Sequence, residues 1–184
     1  MSRRAKNWLV LFGVAALTLV ADRVTKTIVA NNLAPNETWD FPIPIISRFL
    51  RLTYITNTGA AFGLFPDQGL FFIIIAFVVI AAVVFYYRHL PEGHVLARVA
   101  LGLMLGGALG NLVDRLRQGY VVDFADFNFW PLQNWPVWNI ADSAIVVGVT
   151  LLALTMLRDD LTAGQDDEVG SSKGDAAGEP GTSP

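Results

Sequence analysis

Cysteine is missing from all 184 residues, so thiol catalysis, thiolate metal sites, structural disulfides and lipid attachment to this chain's own sulfur are excluded together. Histidine is nearly missing: His89 and His94 both fall in the short RHLPEGH link. There is no HExxH to hold zinc on one helix face and no GxSxG to present a nucleophilic serine. No metal or organic cofactor is expected. Charge is also scarce. Asp, Glu, Lys and Arg supply 16% of the chain, where a soluble domain carries roughly 25%. With 53% apolar residues and a mean hydropathy of +0.47, the composition is that of a membrane protein. Its length suits about four crossings of roughly 20 residues each, plus loops.

What charge there is lies unevenly. Residues 159–184 hold seven acids and one base, a net of −6, whereas residues 1–158 hold twelve bases and nine acids, a net of +3. Beyond Leu161 the tail has almost no large apolar side chain and cannot bury enough surface to fold. The expected organisation is a membrane domain over 1–158 and a disordered acidic cytoplasmic tail over 159–184.

The basic start MSRRAKNW precedes the apolar LVLFGVAALTLVA. Read as a secretory signal cleaved after Ala21, it would put Leu19 where a small residue belongs, and apolar character resumes past Lys26. Residues 8–30 therefore read as a retained first crossing, with cleavage as the alternative. Three more crossings are expected over about 69–87, 95–113 and 137–157. The third is rich in glycine, and the GxxxG spacing of Gly102 and Gly106 reads as generic close packing. Arg3, Arg4 and Lys6 place the N-terminus in the cytoplasm, and four crossings return the C-terminus there. Seven bases inside against six outside give that topology weak support.

Between the crossings, residues 31–68 contain prolines at 35, 42, 44 and 66 and cannot form one helix. SRFLRLTYIT, rich in β-branched and aromatic residues, predicts one or two short strands. The fold class expected is an all-α membrane protein, a four-transmembrane-helix bundle with a small extracytoplasmic β-containing cap. Residues 114–136 read as a second outer loop, with Trp130, Trp135 and Trp138 as headgroup anchors.

Polar residues gather where hydrocarbon should give way to the outer surface. Asp22 and Lys26 are spaced i,i+4 and can pair along one helix face, Lys26 alone reading as a side chain that snorkels to the headgroups. Asn57 opens NTGAAFG, whose small residues would let a peptide backbone approach. Asn111 and Asp114 share a face at the end of the third crossing, and the planar fork of Arg115 suits a carboxylate or carbonyls. Asp123 stands among apolar neighbours in GYVVDF, which favours its protonated form. Asn139 and Asp142, in WNIADSAI, share a face as the fourth crossing opens. A single acid there reads as a helix cap. Two carboxylates at one depth suggest an acid/base pair, one ionised to accept a proton from water and one protonated to polarise a carbonyl.

Taken jointly, D-x-x-T-K, N-T-G-A-A-F-G, G-N-x-x-D-R-x-x-x-G-x-V-x-D-F and N-x-A-D-x-x-I resemble the lipoprotein signal peptidase (signal peptidase II) family over residues 8–157. Trp138 stands where that family usually carries Phe. The resemblance implies an aspartic endopeptidase of the bacterial inner membrane with its site at the outer face and Asp123 and Asp142 as the catalytic pair. It implies substrate-binding roles for Asn111, Arg115, Asn139 and Asn57, and supporting roles for the motif residues Asp22, Lys26, Asp114 and Ala141. The implied partners are membrane lipid and prolipoproteins carrying diacylglycerol on the cysteine just after the scissile bond, with globomycin-type peptides as inhibitors and no nucleic acid. Two rival readings stand beside this: a proton-coupled transporter with the aspartates as relay sites, and a scaffold whose polar clusters only pack helices.

Overall fold

The computed structural model describes residues 3–59, 65, 67–91 and 93–176. The small-residue patch Ala60–Gly63, read as a place of backbone approach, lies outside the described residues, as do residues 177–184 of the tail. Five helices and three strands follow in the order α1 (Arg3–Asn32), β1 (Thr38–Asp40), α2 (Pro44–Ser47), β2 (Leu50–Asn57), α3 (Gly69–His89), α4 (Val95–Gln118), β3 (Val121–Phe127) and α5 (Ile140–Ala176). The four long helices contain stretches apolar enough to cross a membrane, Lys6–Asn32, Gly69–His89, Val95–Gln118 and Ile140–Asp159. The expected four-crossing bundle with a small β-containing cap is what the chain forms.

The centre of the bundle is α4. Two-thirds of its apolar stretch (67%) is buried, against 22%, 11% and 17% in α1, α3 and α5. Glycine is what admits its neighbours. A methyl group on Gly106 would stand 2.6 Å from the Ala15 carbonyl oxygen, and one on Gly102 2.9 Å from that of Leu11, so α1 lies directly on the α4 backbone. Gly107 takes Ala141 of α5 in the same way, and Gly148 of α5 takes the Ala100 carbonyl. The outer faces carry exposed Phe12, Leu17, Val20, Leu70, Ile74, Phe77, Phe85, Val146 and Leu154. In a chain with four crossings these are the surfaces that meet lipid rather than water.

Two expectations change. Residues 114–136 are not all loop: α4 continues five residues beyond 113 and puts Asp114 and Arg115 on the helix, and Val121–Phe127 is a strand. Gly119, left-handed at φ 81°, ends α4 and returns its N–H to the Arg115 carbonyl (3.1 Å), turning the chain directly into β3. The second change is in α5, which opens at Ile140 rather than 137 and whose helix runs past 157 to Ala176. Helix hydrogen bonds are local and no proline intervenes before Pro180. Only the part up to Asp159 has crossing character.

The sheet has the antiparallel order β1-β2-β3. It gathers the C-terminal ends of α1 and α4 and the N-terminal ends of α3 and α5 at one end of the bundle. The period of two along VVDFADF separates its faces. Val122 and Phe124 pack against Val29 and Tyr54, whereas Val121, Asp123 and Phe127 face a cavity. A bulge in β2 between Leu52 and Ile55 sets the register so that Ile55 lies opposite Asp123.

Because the α1–α4 contact is backbone to backbone, Gly106→Ala is expected to lower stability by about 1–3 kcal/mol. Gly13→Ala, where a methyl group meets nothing within 4 Å, is expected to leave it unchanged within about 1 kcal/mol. Unfolding midpoints of the two variants in bicelles are the check.

Candidate active site

At the sheet end of the bundle lies a cavity of about 640 Å³, lined by Asp123 and Asp142 together with Asn57, Asn111, Arg115 and Trp138, among others. Each carboxylate reaches it from a different element. Asp123 is carried by β3, on the face opposite the Val122–Phe124 packing. Asp142 belongs to the first turn of α5. The two are linked through Asn139, whose amide Nδ2 donates to Asp123 Oδ1 (2.6 Å) and whose Oδ1 accepts from the Asp142 N–H (2.9 Å).

Asn139 is the residue that opens α5. Its side chain accepts the N–H three residues on, while Asp142 Oδ2 accepts the Asn139 N–H (3.3 Å), a reciprocal cap. Ser143 Oγ also donates to the Asn139 carbonyl (3.1 Å). Asp142 is therefore not itself the capping residue, as a lone acid there would suggest, but the third residue of the capped turn, and its Oδ1 accepts from Asn111 Nδ2 (2.7 Å). The other oxygen of Asp123, Oδ2, accepts from Asn57 Nδ2 (2.9 Å). Asn57 is itself fixed by the Gly59 N–H donating to its Oδ1 (2.9 Å). All the side-chain groups that bind the two carboxylates directly are neutral amides.

Asp123 is 2% exposed. Burial, with the nearby Asp142 carboxylate adding to it, pushes its carboxyl up to about 7. The hydrogen bonds from Asn57 and Asn139, and the more distant Lys26 ammonium, oppose that rise without cancelling it.

Behind the amides lies a compact ionic cluster. Lys26 pairs with Asp22 Oδ2 (2.9 Å) and Asp114 Oδ2 (2.8 Å), and also donates to Asn111 Oδ1 (2.9 Å). It is 1% exposed and does not snorkel toward the headgroups, because three buried acceptors hold it inside. Arg23 pairs with the other oxygen of Asp114. Asp22 Oδ1 accepts the Ala141 N–H (3.0 Å) and so ties α1 to the first turn of α5. Ala141 is fully buried, and a methyl on Gly110 would come within 2.5 Å of Asp22 Oδ2, so small residues are needed where α4 meets both.

Arg115 donates from one terminal nitrogen to the Gly59 carbonyl (3.0 Å) and lies 5.0 Å over the Phe72 ring. All ten residues singled out as site members thus gather at this end, at the cavity or linked to it through Asn111, Asn139 and the first turn of α5. The tryptophans divide. Trp130 is 82% exposed, as an interfacial anchor would be. Trp138 turns inward, donates from Nε1 to Ser143 Oγ (2.9 Å), packs on Phe127 at 4.2 Å and lines the cavity. The sequence reading missed Asp126, which accepts from Arg51 Nε (2.6 Å) and Thr53 Oγ1 (2.7 Å) and fastens β2 to β3. On β3, its three-residue separation from Asp123 puts Asp126 on the opposite face. Among the described residues no group of acids and histidines has the arrangement of a metal site.

The chain is similar to known proteins over most of its length. The family described as "Signal peptidase (SPase) II" matches residues 14–158. A lipoprotein signal peptidase of Moorella thermoacetica is 46% identical over 144 residues, 78% of this chain and 90% of that one. One of Geobacter metallireducens is 40% identical over 163 residues, 87% and 98%. A solved structure described as a bacterial membrane enzyme at 2.3 Å resolution superposes with a TM-score of 0.73 at 35% identity, covering 80% of this chain and 87% of the other. A second, at 1.9 Å resolution, gives 0.69 at 34% identity, covering 79% and 91%.

Removing the Asn139 side-chain amide takes away the α5 cap, leaving Asp123 short of a donor and the Asp142 N–H without its acceptor. Asn139→Ala is expected to cost about 1–3 kcal/mol of stability, read as a lowered denaturation midpoint in bicelles. Asn139→Ser, which keeps an acceptor at the cap, is expected to recover part of it.

Proposed function

Because this chain belongs to the signal peptidase II family, proteases that remove signal peptides from prolipoproteins, we propose that it does so as an intramembrane aspartic endopeptidase with Asp123 and Asp142 as its catalytic pair. The observation that carries the reading is that two carboxylates from separate elements line one cavity and both accept from Asn139, Asp123 from its side-chain amide and Asp142 from its backbone N–H. The substrate is a prolipoprotein whose cysteine carries diacylglycerol, and the bond broken is the one just before that cysteine. A lipid-anchored substrate holds its scissile bond at the membrane surface, and a site where four crossings end is at the matching depth. Membrane lipid is thus a partner throughout.

In this mechanism the pair holds one proton and a water molecule. The ionised carboxylate takes a proton from the water as its oxygen attacks the scissile carbonyl carbon. The protonated carboxyl hydrogen-bonds to the carbonyl oxygen and stabilises the tetrahedral diol. On collapse the C–N bond breaks, a proton passes to the leaving amine of the lipid-bearing cysteine, and the new carboxyl leaves on the signal peptide. The raised carboxyl of Asp123 supports a shared proton near neutral pH, and the two groups titrate jointly. Asn57, Asn111 and Asn139 keep both carboxyls aimed, and the Arg115 guanidinium beside Gly59 binds substrate carbonyls. Globomycin-type peptides would occupy the same cavity. The chain resides in the bacterial inner membrane with both termini cytoplasmic, and the sheet caps the site on the outer face.

Asp123→Asn and Asp142→Asn are each expected to abolish cleavage of a diacylglyceryl-modified substrate while the protein still inserts. Normal turnover by either purified variant would end the assignment. The pH dependence follows from the sign of the Asp123 shift. A raised carboxyl keeps its proton up to about 7 and loses it above, leaving two carboxylates and no acid. The pH profile of kcat/KM should therefore fall on the alkaline side, by about tenfold per pH unit once well past neutrality. A flat profile from pH 7 to 9 would contradict it.

A further inference from the structure

A lysine ammonium has three donors and no acceptor. Lys26 lies within ion-pair distance of Asp22 Oδ2 (2.9 Å) and Asp114 Oδ2 (2.8 Å), and, third, donates a hydrogen bond to Asn111 Oδ1 (2.9 Å). The third contact dictates how the Asn111 amide is turned. Were the amide reversed, its NH2 would face the ammonium and the Asn139 NH2, donor against donor on both sides. Only with Oδ1 toward Lys26 (2.9 Å) and Asn139 Nδ2 (3.2 Å) does Asn111 present its NH2 to Asp142 Oδ1.

Asn139 is oriented in the same way from another source. The Asp142 N–H occupies its Oδ1, which leaves its NH2 for Asp123 and Asn111. One amide takes its orientation from the helix backbone. The other takes it from a buried lysine.

We propose that Lys26 is a positioning residue for hydrolysis, acting through Asn111 to hold a hydrogen-bond donor on the catalytic carboxylate Asp142. The proposal rests on the reading of Asp123 and Asp142 as the catalytic pair.

Charge near the site is arranged in keeping with this role. Lys26 and Arg23 on α1 are matched one for one by Asp22 on α1 and Asp114 on α4. The remaining charged groups around the pair are Arg115 on α4 and the two carboxyls themselves. The Lys26 ammonium touches neither catalytic carboxyl; its field reaches Asp123 from a distance, and its one bonded route to the pair is the Asn111 amide. Without Lys26, only the longer Asn139 contact (3.2 Å) still holds the Asn111 oxygen, and the amide can turn that oxygen toward Asp142. It then repels the ionised carboxylate or captures a proton from the neutral one, and either event spoils the shared-proton state.

The test uses the full-length enzyme in lipid with a diacylglyceryl-modified peptide substrate. Lys26→Met is measured beside Asp123→Asn, Asn111→Ala and the double variant Lys26→Met/Asn111→Ala. A triple variant, Asp22→Asn/Lys26→Met/Asp114→Asn, removes the lysine together with both carboxylates it pairs with, leaves the part-exposed Arg23 to solvent, and serves where the single change fails to fold. Lys26→Met, or the triple, should lower kcat by about 10- to 100-fold, in the range of lost supporting hydrogen bonds at catalytic sites, with KM within about threefold. In the Asn111→Ala background the same change should add no further loss. Unchanged kcat, a loss carried by KM, losses that multiply in the double variant, or failure of both Lys26 variants to fold would each overturn the proposal. Residual turnover by Asp123→Asn would instead fault the catalytic pair.

Discussion

Burying charge at the end of a membrane bundle without leaving any of it unpaired is the constraint on which this end of the molecule depends. Six ionised or ionisable side chains, Asp22, Arg23, Lys26, Asp114, Asp123 and Asp142, meet where α1, α4, β3 and α5 converge. An isolated ion of this kind is costly at the edge of hydrocarbon. The solution is a division in two layers. Cations and anions cancel among themselves behind Asn111, through the Lys26 contacts to Asp22 and Asp114 and the Arg23 contact to Asp114. The carboxyls at the cavity receive only amide donors. Such a cluster contributes little net stability, since desolvation offsets attraction, but removing one member is expensive because its partners remain buried.

Packing and chemistry are linked through the same small residues. Gly110 admits Asp22, and Asp22 takes the Ala141 N–H. The start of α5 is thereby held by a carboxylate of α1 across the glycines of α4. The direction of Asp142 then follows from where α5 begins, and that is set by the Asn139 cap. A bulky side chain at Gly107 or Gly110 would move the first turn of α5, and with it one of the two acids. The glycine content of α4 therefore does more than let helices approach. It sets how far apart β3 and α5 hold their carboxyls.

Much of this was legible in the sequence. Hydropathy located the crossings because a bilayer imposes a minimum apolar length, and the longest runs satisfied it to within a few residues. The motif residues pointed to one end because each stood at the edge of a crossing. The strand over Leu50–Asn57 was visible in its β-branched residues. What could not be read was geometry across elements. VVDFADF was taken as loop because its apolar residues occupy both faces, which hides the alternation that a half-exposed strand would show. Its pairing with β2 and the bulge at Leu52–Ile55 are non-local and leave no pattern in either segment alone. Lys26 read as a snorkelling side chain because, in sequence, only Asp22 stands near it. Asp114 and Asn111, its other partners, are more than eighty residues away.

Among the described residues no cation is bonded directly to Asp123 or Asp142, which is as informative as the contacts present. An arginine or lysine on either carboxyl would favour its ionised form and hold the proton off the pair. Amides fix direction with far less bias between charged and neutral forms, since their dipoles are small beside a full charge. In the proposed mechanism that distinction is essential: each carboxyl must serve in turn as acid and as base, and both must stay aimed at the same point while their charges exchange. Three asparagines, each turned by a neighbour that permits only one orientation, meet both demands. Lys26 remains close enough to orient one of those amides, Asn111, without bonding to either carboxyl.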